Sequence, residues 1–119
     1  MKTISKPPLI LEQPTQGYRY NLDSFLLASF AQWKKTYFIC DLGCGIGVIA
    51  LLAMIDAQVT RAVGVDIQVE MIQYAEQNKA LNACKLGVEF LHRPWQELRK
   101  VFPAQTFDGV ISNPPYRIL

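Results

Sequence analysis

The most informative pattern in this 119-residue sequence is a glycine-rich turn with an acidic residue on each side of it. Asp41 ends an apolar run, and Gly43, Gly45 and Gly47 follow it at alternate positions. Glycine lets the backbone adopt positive φ and lets a ligand approach with no Cβ in the way. Asp66 follows about 20 residues later, where a carboxylate can accept hydrogen bonds from both hydroxyls of a ribose. The pattern predicts a pocket for a cofactor that contains a nucleoside.

The spacing of the three glycines disfavours a dinucleotide. A dinucleotide-binding turn has the spacing Gly-x-Gly-x-x-Gly, with the pyrophosphate at the helix N-terminus. Here the third glycine comes one residue early, and Val48 occupies the position of the last glycine. NAD and FAD are therefore disfavoured. Two structural interpretations also stay open: the turn can simply allow close packing of a helix on a sheet, and Asp66 can cap the next helix.

A second polar group follows a later apolar run, in the segment Ser112-Asn113-Pro114-Pro115-Tyr116. Consecutive prolines fix φ and lack N–H groups, so the neighbouring carbonyls are free to face a ligand. Asn113 adds a side-chain acceptor, and Tyr116 adds a flat ring for stacking. Two acceptors beside a ring can orient a planar amino group and stabilise the positive charge that develops as its nitrogen is alkylated. The alternative is a proline-rich terminus without chemistry.

Four apolar strands separated by helices must position these groups, and they predict an α/β fold with a parallel sheet. Because the carboxyl ends of parallel strands meet at one edge, we expect the glycine turn and the proline segment to share a crevice there. We predict strands at residues 36–41, 63–66, 87–91 and 107–112, and helices at residues 24–33, from the glycine turn to 55, 69–81 and 95–101.

These residues carry a family resemblance. The glycine turn with Asp41, Asp66 and the Asn113-Pro114-Pro115-Tyr116 segment resemble the class I S-adenosylmethionine-dependent methyltransferases that modify planar amino groups. The segment Gln13-x-x-x-Gly17-Tyr18-Arg19-Tyr20-Asn21-x-Asp23-Ser24-x-Leu26-Leu27-Ala28 is similar to the entry segment of the bacterial tRNA1(Val) adenine-N(6) methyltransferases. The resemblance implies a Rossmann-like fold with parallel strands in the order 3-2-1-4 and helices on both faces. It also implies that the later strands of the family's sheet are missing from this chain.

The resemblance implies a role for each candidate site residue. S-adenosyl-L-methionine is the implied cofactor, with tRNA as the substrate. The implied cofactor-binding residues are Tyr20, Asp23, Asp41, Gly43, Gly45, Gly47, Asp66, Ile67 and Trp95, and the implied catalytic residues are Asn113, Pro114 and Tyr116. In one place the chain departs from the family, because Pro94 stands where an acid usually meets the adenine of the cofactor. Trp95 would then pack on that adenine instead.

Composition adds weaker constraints. A net charge of +2 is too small to argue for nucleic acid by itself, since phosphate binding relies on clustered Lys and Arg. The cysteines Cys40, Cys44 and Cys84 lack zinc-ribbon spacing, so we expect no metal site but small buried side chains in a reducing cytoplasm. No apolar run has the length of a membrane span and no signal peptide is recognisable, which predicts a cytoplasmic protein with no membrane partner. His92 is expected at the surface.

The sequence therefore predicts an extended segment over residues 1–21 and a partial methyltransferase domain over residues 22–119. The expected function is N-methylation, with adenine N6 of tRNA as the target. One alternative is a truncated, inactive fragment that binds the cofactor or a partner; another is a protein-glutamine or DNA amino methyltransferase. The fourth strand has no expected neighbour on one side, and an exposed apolar sheet edge predicts self-association there.

Overall fold

The computed structural model describes residues 2–6, 9–14, 34, 36–55, 59–82 and 87–112. Its first elements are an antiparallel hairpin of β1 (Lys2–Lys6) and β2 (Leu9–Gln13). The others, in chain order, are β3 (Phe38–Leu42), α1 (Val48–Ile55), β4 (Arg61–Asp66), α2 (Val69–Leu81), β5 (Val88–His92), a 3-10 turn (Trp95–Glu97), α3 (Leu98–Val101) and β6 (Gly109–Ser112). The helix predicted at residues 24–33 and the domain boundary predicted after residue 21 lie outside the described residues.

The main sheet contains four parallel strands in the order β5-β4-β3-β6. Numbered along the predicted domain, this is the order 3-2-1-4, so the predicted α/β topology is confirmed. The predicted bounds of α2 agree with the structure, and the strands begin or end within two residues of their predicted positions. Right-handed crossovers through helices account for this order, since parallel neighbours cannot be joined by a tight turn.

The strand register brings the carboxyl ends of the strands level with one another. Leu42, the last residue of β3, pairs with Ser112 on one side and with Val65 on the other. Asp66 pairs with His92 in the same way at the end of β4. The glycine turn therefore begins directly beside the end of β6, which is the edge at which a parallel sheet binds its ligands.

One face of the sheet is covered by α1 and α2, and β2 of the hairpin packs on these two helices. Six consecutive residues of α1, from Val48 to Ala53, are buried, so this helix is enclosed on nearly all sides. Leu11 and Gln13 of β2 are also buried in this layer. Within the segment predicted to be extended over residues 1–21, the described residues include the two strands β1 and β2. The packing of β2 on the helices, which places Leu11 and Gln13 in the core, is a finding of the structure.

The opposite face is covered by the 3-10 turn and α3. Three rings pack edge to face there, because Phe38, Phe102 and Phe107 have centroid separations between 4.9 and 5.8 Å. Phe38 and Asp108 also tie the start of β6 to β3: the Phe38 N–H donates to Asp108 Oδ2 at 2.7 Å, and the Asp108 N–H donates to the Phe38 carbonyl at 2.8 Å. Helices thus lie on both faces, as predicted.

Candidate functional site

The three glycines of the turn all adopt positive φ, but the space around Gly43 differs from the space around Gly47. Their φ values are +69° for Gly43, +54° for Gly45 and +93° for Gly47. A Cβ on Gly43 would meet no atom within 4 Å, so the space beside it is open. A Cβ on Gly47 would lie 2.9 Å from Phe90 Cζ. Gly47 therefore permits close helix–sheet packing, whereas Gly43 leaves room for a ligand.

Hydrogen bonds from its backbone hold the glycine turn against the end of β4. The Cys44 N–H donates to the Val65 carbonyl at 2.8 Å, and the Gly45 N–H donates to Asp66 Oδ2 at 2.9 Å. The other carboxylate oxygen, Asp66 Oδ1, accepts from the Gln68 N–H at 2.8 Å, just before α2 begins. Asp66 thus supports both the turn and the entry to the helix. Each carboxylate oxygen can accept a second hydrogen bond, so the carboxylate keeps capacity for ribose hydroxyls.

Asp41 carries a buried carboxyl group next to the turn. The residue is 1% exposed, and neither side-chain oxygen has a hydrogen-bond partner among the described residues. Burial raises the pKa of Asp41 to about 8; the nearby backbone N–H of Ala50, which does not meet hydrogen-bond geometry, opposes this shift, and the negative charge of Asp66 adds to it. An unpartnered buried carboxyl is costly unless a donor or a cation reaches it. The cationic amino end of a cofactor would satisfy it, so the residues present fit the implied cofactor.

Replacing Asp41 by asparagine should change how stability depends on pH. The ordinary pKa of this group is 3.8, so between that value and about 8 the folded protein holds a proton that the unfolded chain has released. The free energy of unfolding should therefore fall as pH rises across this window, by at most about 1.4 kcal/mol per pH unit. Asp41→Asn removes this titration, so its stability should be most similar to that of the parent near pH 4 and should exceed it by a growing margin as pH rises to 8. Urea unfolding at several pH values measures both profiles, and parallel profiles would contradict the assignment.

Two large apolar side chains are exposed beyond the strand ends next to the turn. Ile67 is 66% exposed and Trp95 is 59% exposed. The loops that carry them are joined, because the Arg93 N–H donates to the Asp66 carbonyl at 3.0 Å and His92 Nε2 donates to the Ile67 carbonyl at 2.9 Å. His92 is at the surface, as expected. Contact of Ile67 and Trp95 with a cofactor adenine stays a prediction.

Asn78 holds the glycine turn in position, a role that was not predicted from the sequence. Its side chain is fully buried on α2, and Nδ2 donates to the Ile46 carbonyl in the glycine turn at 3.0 Å. The same amide group pairs with the backbone of Glu12 in β2: Nδ2 donates to the Glu12 carbonyl at 3.0 Å, and Oδ1 accepts from the Glu12 N–H at 2.6 Å. A single amide therefore joins the hairpin, α2 and the turn. The available signal was a polar residue on the apolar side of a helix.

The remaining predicted site residues, Tyr20, Asp23, Asn113, Pro114 and Tyr116, lie outside the described residues. Cys84 does also, whereas Cys40 and Cys44 are buried, as expected. Within the described ranges, no helix is long and apolar enough to cross a membrane, and no group of three His, Cys, Asp or Glu side chains is placed to hold a metal ion.

Comparison with known protein families shows the family to which this chain belongs. A family model described as a methyltransferase domain matches residues 34–117. The chain belongs to this methyltransferase family. The match includes the glycine turn, both acidic residues and the Asn113-Pro114-Pro115-Tyr116 segment, and S-adenosyl-L-methionine is the cofactor expected for such a methyltransferase domain.

Two curated relatives of the methyltransferase domain carry the same name, tRNA1(Val) (adenine(37)-N6)-methyltransferase. The protein from Aliivibrio salmonicida is 27% identical over 100 residues, which cover 84% of this chain and 42% of the relative. The protein from Tolumonas auensis is 31% identical over 114 residues, which cover 89% of this chain and 44% of the relative. The methyltransferase domain thus spans less than half the length of these relatives.

Solved structures share the fold of the methyltransferase domain. P. horikoshii TYW2, solved in complex with MeSAdo, aligns with a TM-score of 0.68 at 12% identity, covering 85% of this chain and 37% of that one. At this identity the likeness concerns the fold alone. It confirms the Rossmann-like methyltransferase architecture predicted from the sequence.

Proposed function

We propose that this methyltransferase domain binds S-adenosyl-L-methionine and serves N-methylation of a planar amino group, with adenine N6 of tRNA as the target. The observation that carries the proposal is the pairing of Leu42 with Ser112. It brings the glycine turn and the end of β6, after which Asn113 follows in sequence, to neighbouring positions at one edge. The names of the two curated relatives support tRNA as the substrate. A cytoplasmic location follows from a tRNA substrate.

The described residues offer a contact to each part of the cofactor. Asp41 offers a buried, unpartnered carboxyl for the amino end, and the open space at Gly43 admits the methionine part. Asp66 offers remaining acceptor capacity for the ribose, and exposed Ile67 and Trp95 offer apolar surface for the adenine. When bound, S-adenosyl-L-methionine supplies an electrophilic methyl group.

The roles proposed for the target side come from the family resemblance. The Asn113 side-chain oxygen and the Pro114 carbonyl would accept hydrogen bonds from the target amino group, and the Tyr116 ring would stack on the base. These contacts would direct the nitrogen lone pair and stabilise the positive charge that develops on it. A general base is not required at the moment of attack.

A second candidate is a fragment that binds the cofactor but does not transfer methyl groups by itself. The observation that favours it is the length of the chain, which covers 42–44% of the two relatives. In both cases the cofactor contacts proposed for Asp41, Gly43 and Asp66 are available, so the candidates differ in turnover rather than in binding.

One experiment in two stages tests both candidates. Calorimetric titration with S-adenosyl-L-methionine should show saturable binding at one site per chain. Transfer of labelled methyl groups to unmodified tRNA should then occur, and a tRNA with the target adenine replaced by guanine should accept none. Binding without transfer supports the fragment, and absence of binding contradicts both. Transfer to a glutamine peptide or to DNA, but not to tRNA, would support N-methylation of a planar amino group and contradict tRNA as the substrate.

Replacing Asp66 by alanine should weaken the binding of S-adenosyl-L-methionine by about 10- to 100-fold. The expected loss corresponds to charge-assisted hydrogen bonds of about 1.5–3 kcal/mol. Because Asp66 also accepts two backbone N–H groups, thermal unfolding without cofactor must be measured beside calorimetric binding. Glu70→Ala, which removes an exposed acid from the first turn of α2, is the matched control and should bind normally. If Asp66→Ala binds S-adenosyl-L-methionine with unaltered affinity, Asp66 does not hold the ribose.

A further inference from the structure

The buried side-chain amide of Asn78 uses its nitrogen and its oxygen at the same time. Nδ2, which carries two hydrogens, donates to the Ile46 carbonyl and to the Glu12 carbonyl, both at 3.0 Å. Oδ1 accepts from the Glu12 N–H at 2.6 Å. The reverse orientation of the amide would set its oxygen against two carbonyls, so this pattern fixes how the side chain is turned. An amide is therefore the group that the position requires.

On the hairpin side, Asn78 pairs with β2 as the backbone of a neighbouring strand would. In antiparallel strands, the N–H and C=O of one residue point to the same side. Both groups of Glu12 are bonded to Asn78, so they face away from Thr3, with which Glu12 pairs in β1. The bonds to Asn78 thus attach β2 to α2 at a point between two buried residues, Leu11 and Gln13.

On the other side, Asn78 holds the middle of the glycine turn. Ile46 is fully buried and lies between Gly45 and Gly47, which both have positive φ. Glycine has many accessible backbone conformations, so contacts from outside must select one of them for the turn. The bonds to β4 hold Cys44 and Gly45, and the bond from Asn78 holds the residue that follows them. The conformation of the turn therefore depends on bonds from two directions.

We propose that Asn78 is a positioning residue through which the docked hairpin sets the affinity of the glycine turn for S-adenosyl-L-methionine. The inference rests on the proposed function, because it takes the glycine turn as the site of the cofactor. When β2 leaves its position, Asn78 loses two of the three hydrogen bonds that orient it, and Ile46 is no longer held in one place. Such coupling is reciprocal, so cofactor binding stabilises the docked hairpin in turn.

Two substitutions break this link from opposite sides. Asn78→Ala removes the amide, and Glu12→Pro removes the N–H that donates to Asn78 but spares the side of β2 that faces β1. In calorimetric titration, affinity for S-adenosyl-L-methionine should fall by about 10- to 100-fold in Asn78→Ala and by about 5-fold in Glu12→Pro, the range typical of coupled sites. Thr3→Pro is the matched control, because the N–H of Thr3 faces away from β2 in the same pairing. It should bind as the parent does.

The double variant separates positioning from a general loss of stability. If the hairpin acts through Asn78, adding Glu12→Pro to Asn78→Ala should lower the affinity no further, whereas independent losses would add. Val88→Ala removes buried volume at the start of β5, so it should lower the free energy of unfolding and leave the affinity unchanged. Circular dichroism checks that each variant is folded during the titration. Additive losses, or a Glu12→Pro variant that binds as Thr3→Pro does, would overturn the proposal, and this second comparison decides even if Asn78→Ala does not fold.

Hydrogen exchange at the Glu12 amide, followed by NMR, gives a measurement that does not involve methyl transfer. Saturating S-adenosyl-L-methionine should slow this exchange in the parent, and Asn78→Ala should lose the added protection. A parent that binds the cofactor with no change in exchange at Glu12 overturns the inference and leaves the proposed function in place. A parent that binds no cofactor contradicts both.

Discussion

Replacing Asn113 by alanine is expected to lower the rate of methyl transfer to tRNA by about 100- to 1,000-fold while the affinity for S-adenosyl-L-methionine stays nearly unchanged. In the proposed site, the Asn113 side chain acts on the target amino group and not on the cofactor. Removing one preorganised group that stabilises charge in a transition state costs roughly this factor in other enzymes. Single-turnover transfer of labelled methyl groups measures the rate, and calorimetry measures the affinity.

Ser112→Ala is the matched control for this experiment. Ser112 is the last residue of β6 and is exposed, so its replacement alters the same strand end without removing a proposed contact to the base. It should retain most of the activity. An equal loss of methyl transfer and cofactor binding in Asn113→Ala would contradict the proposal that Asn113 contacts the target base and not the cofactor.

Replacing Gly47 by alanine should destabilise the fold by about 2–5 kcal/mol. Positive φ costs a residue with a Cβ about 1–2 kcal/mol, and overpacking adds about 1–3 kcal/mol. Here the new Cβ would lie 2.9 Å from Phe90 Cζ and 3.3 Å from the Ala75 Cβ, at a φ of +93°. A loss of this size is a large fraction of the stability of a small domain. Urea unfolding followed by circular dichroism measures it.

Gly43→Ala separates the two causes of that loss. Gly43 also has positive φ, at +69°, but its Cβ would meet no atom within 4 Å, so only the backbone cost of about 1–2 kcal/mol should remain. Phe90→Leu should partly restore the stability of Gly47→Ala by removing the ring that the Cβ meets. Equal losses at Gly43 and Gly47 would show that steric contact with Phe90 contributes nothing.

The order of the main sheet could be predicted because its signals are local. Each strand is a short apolar run, Asp41 and Asp66 mark two of the strand ends, and the helices between them leave only crossover connections. The positions of the turn and of the end of β6 at one edge follow from parallel topology alone. For that reason the sequence could place the glycine turn beside the end of β6 without any knowledge of side-chain contacts, and the position of residues 113–116 stays a prediction.

The hairpin and the roles of single polar residues could not be predicted in this way. Leu11 and Gln13 lie in the core only because β2 packs on α2, a contact between segments more than 60 residues apart, as the hydrogen bonds between Glu12 and Asn78 show. Asp66 presented two interpretations in the sequence, and the structure shows that its carboxylate accepts one hydrogen bond from the turn and one from the start of the helix. Polar contacts of this kind depend on distances that no local pattern encodes.

In the proposed site, the buried carboxyl of Asp41 would make the binding of S-adenosyl-L-methionine depend on pH. With a pKa near 8, this group is mostly neutral at pH 7, whereas a cationic amino end is best held by its ionised form. Binding of the cofactor would therefore release a proton to the buffer. The apparent binding enthalpy would then vary with the ionisation enthalpy of that buffer. The affinity for the cofactor would rise as the pH approaches 8, and Asp41→Asn would abolish this pH dependence.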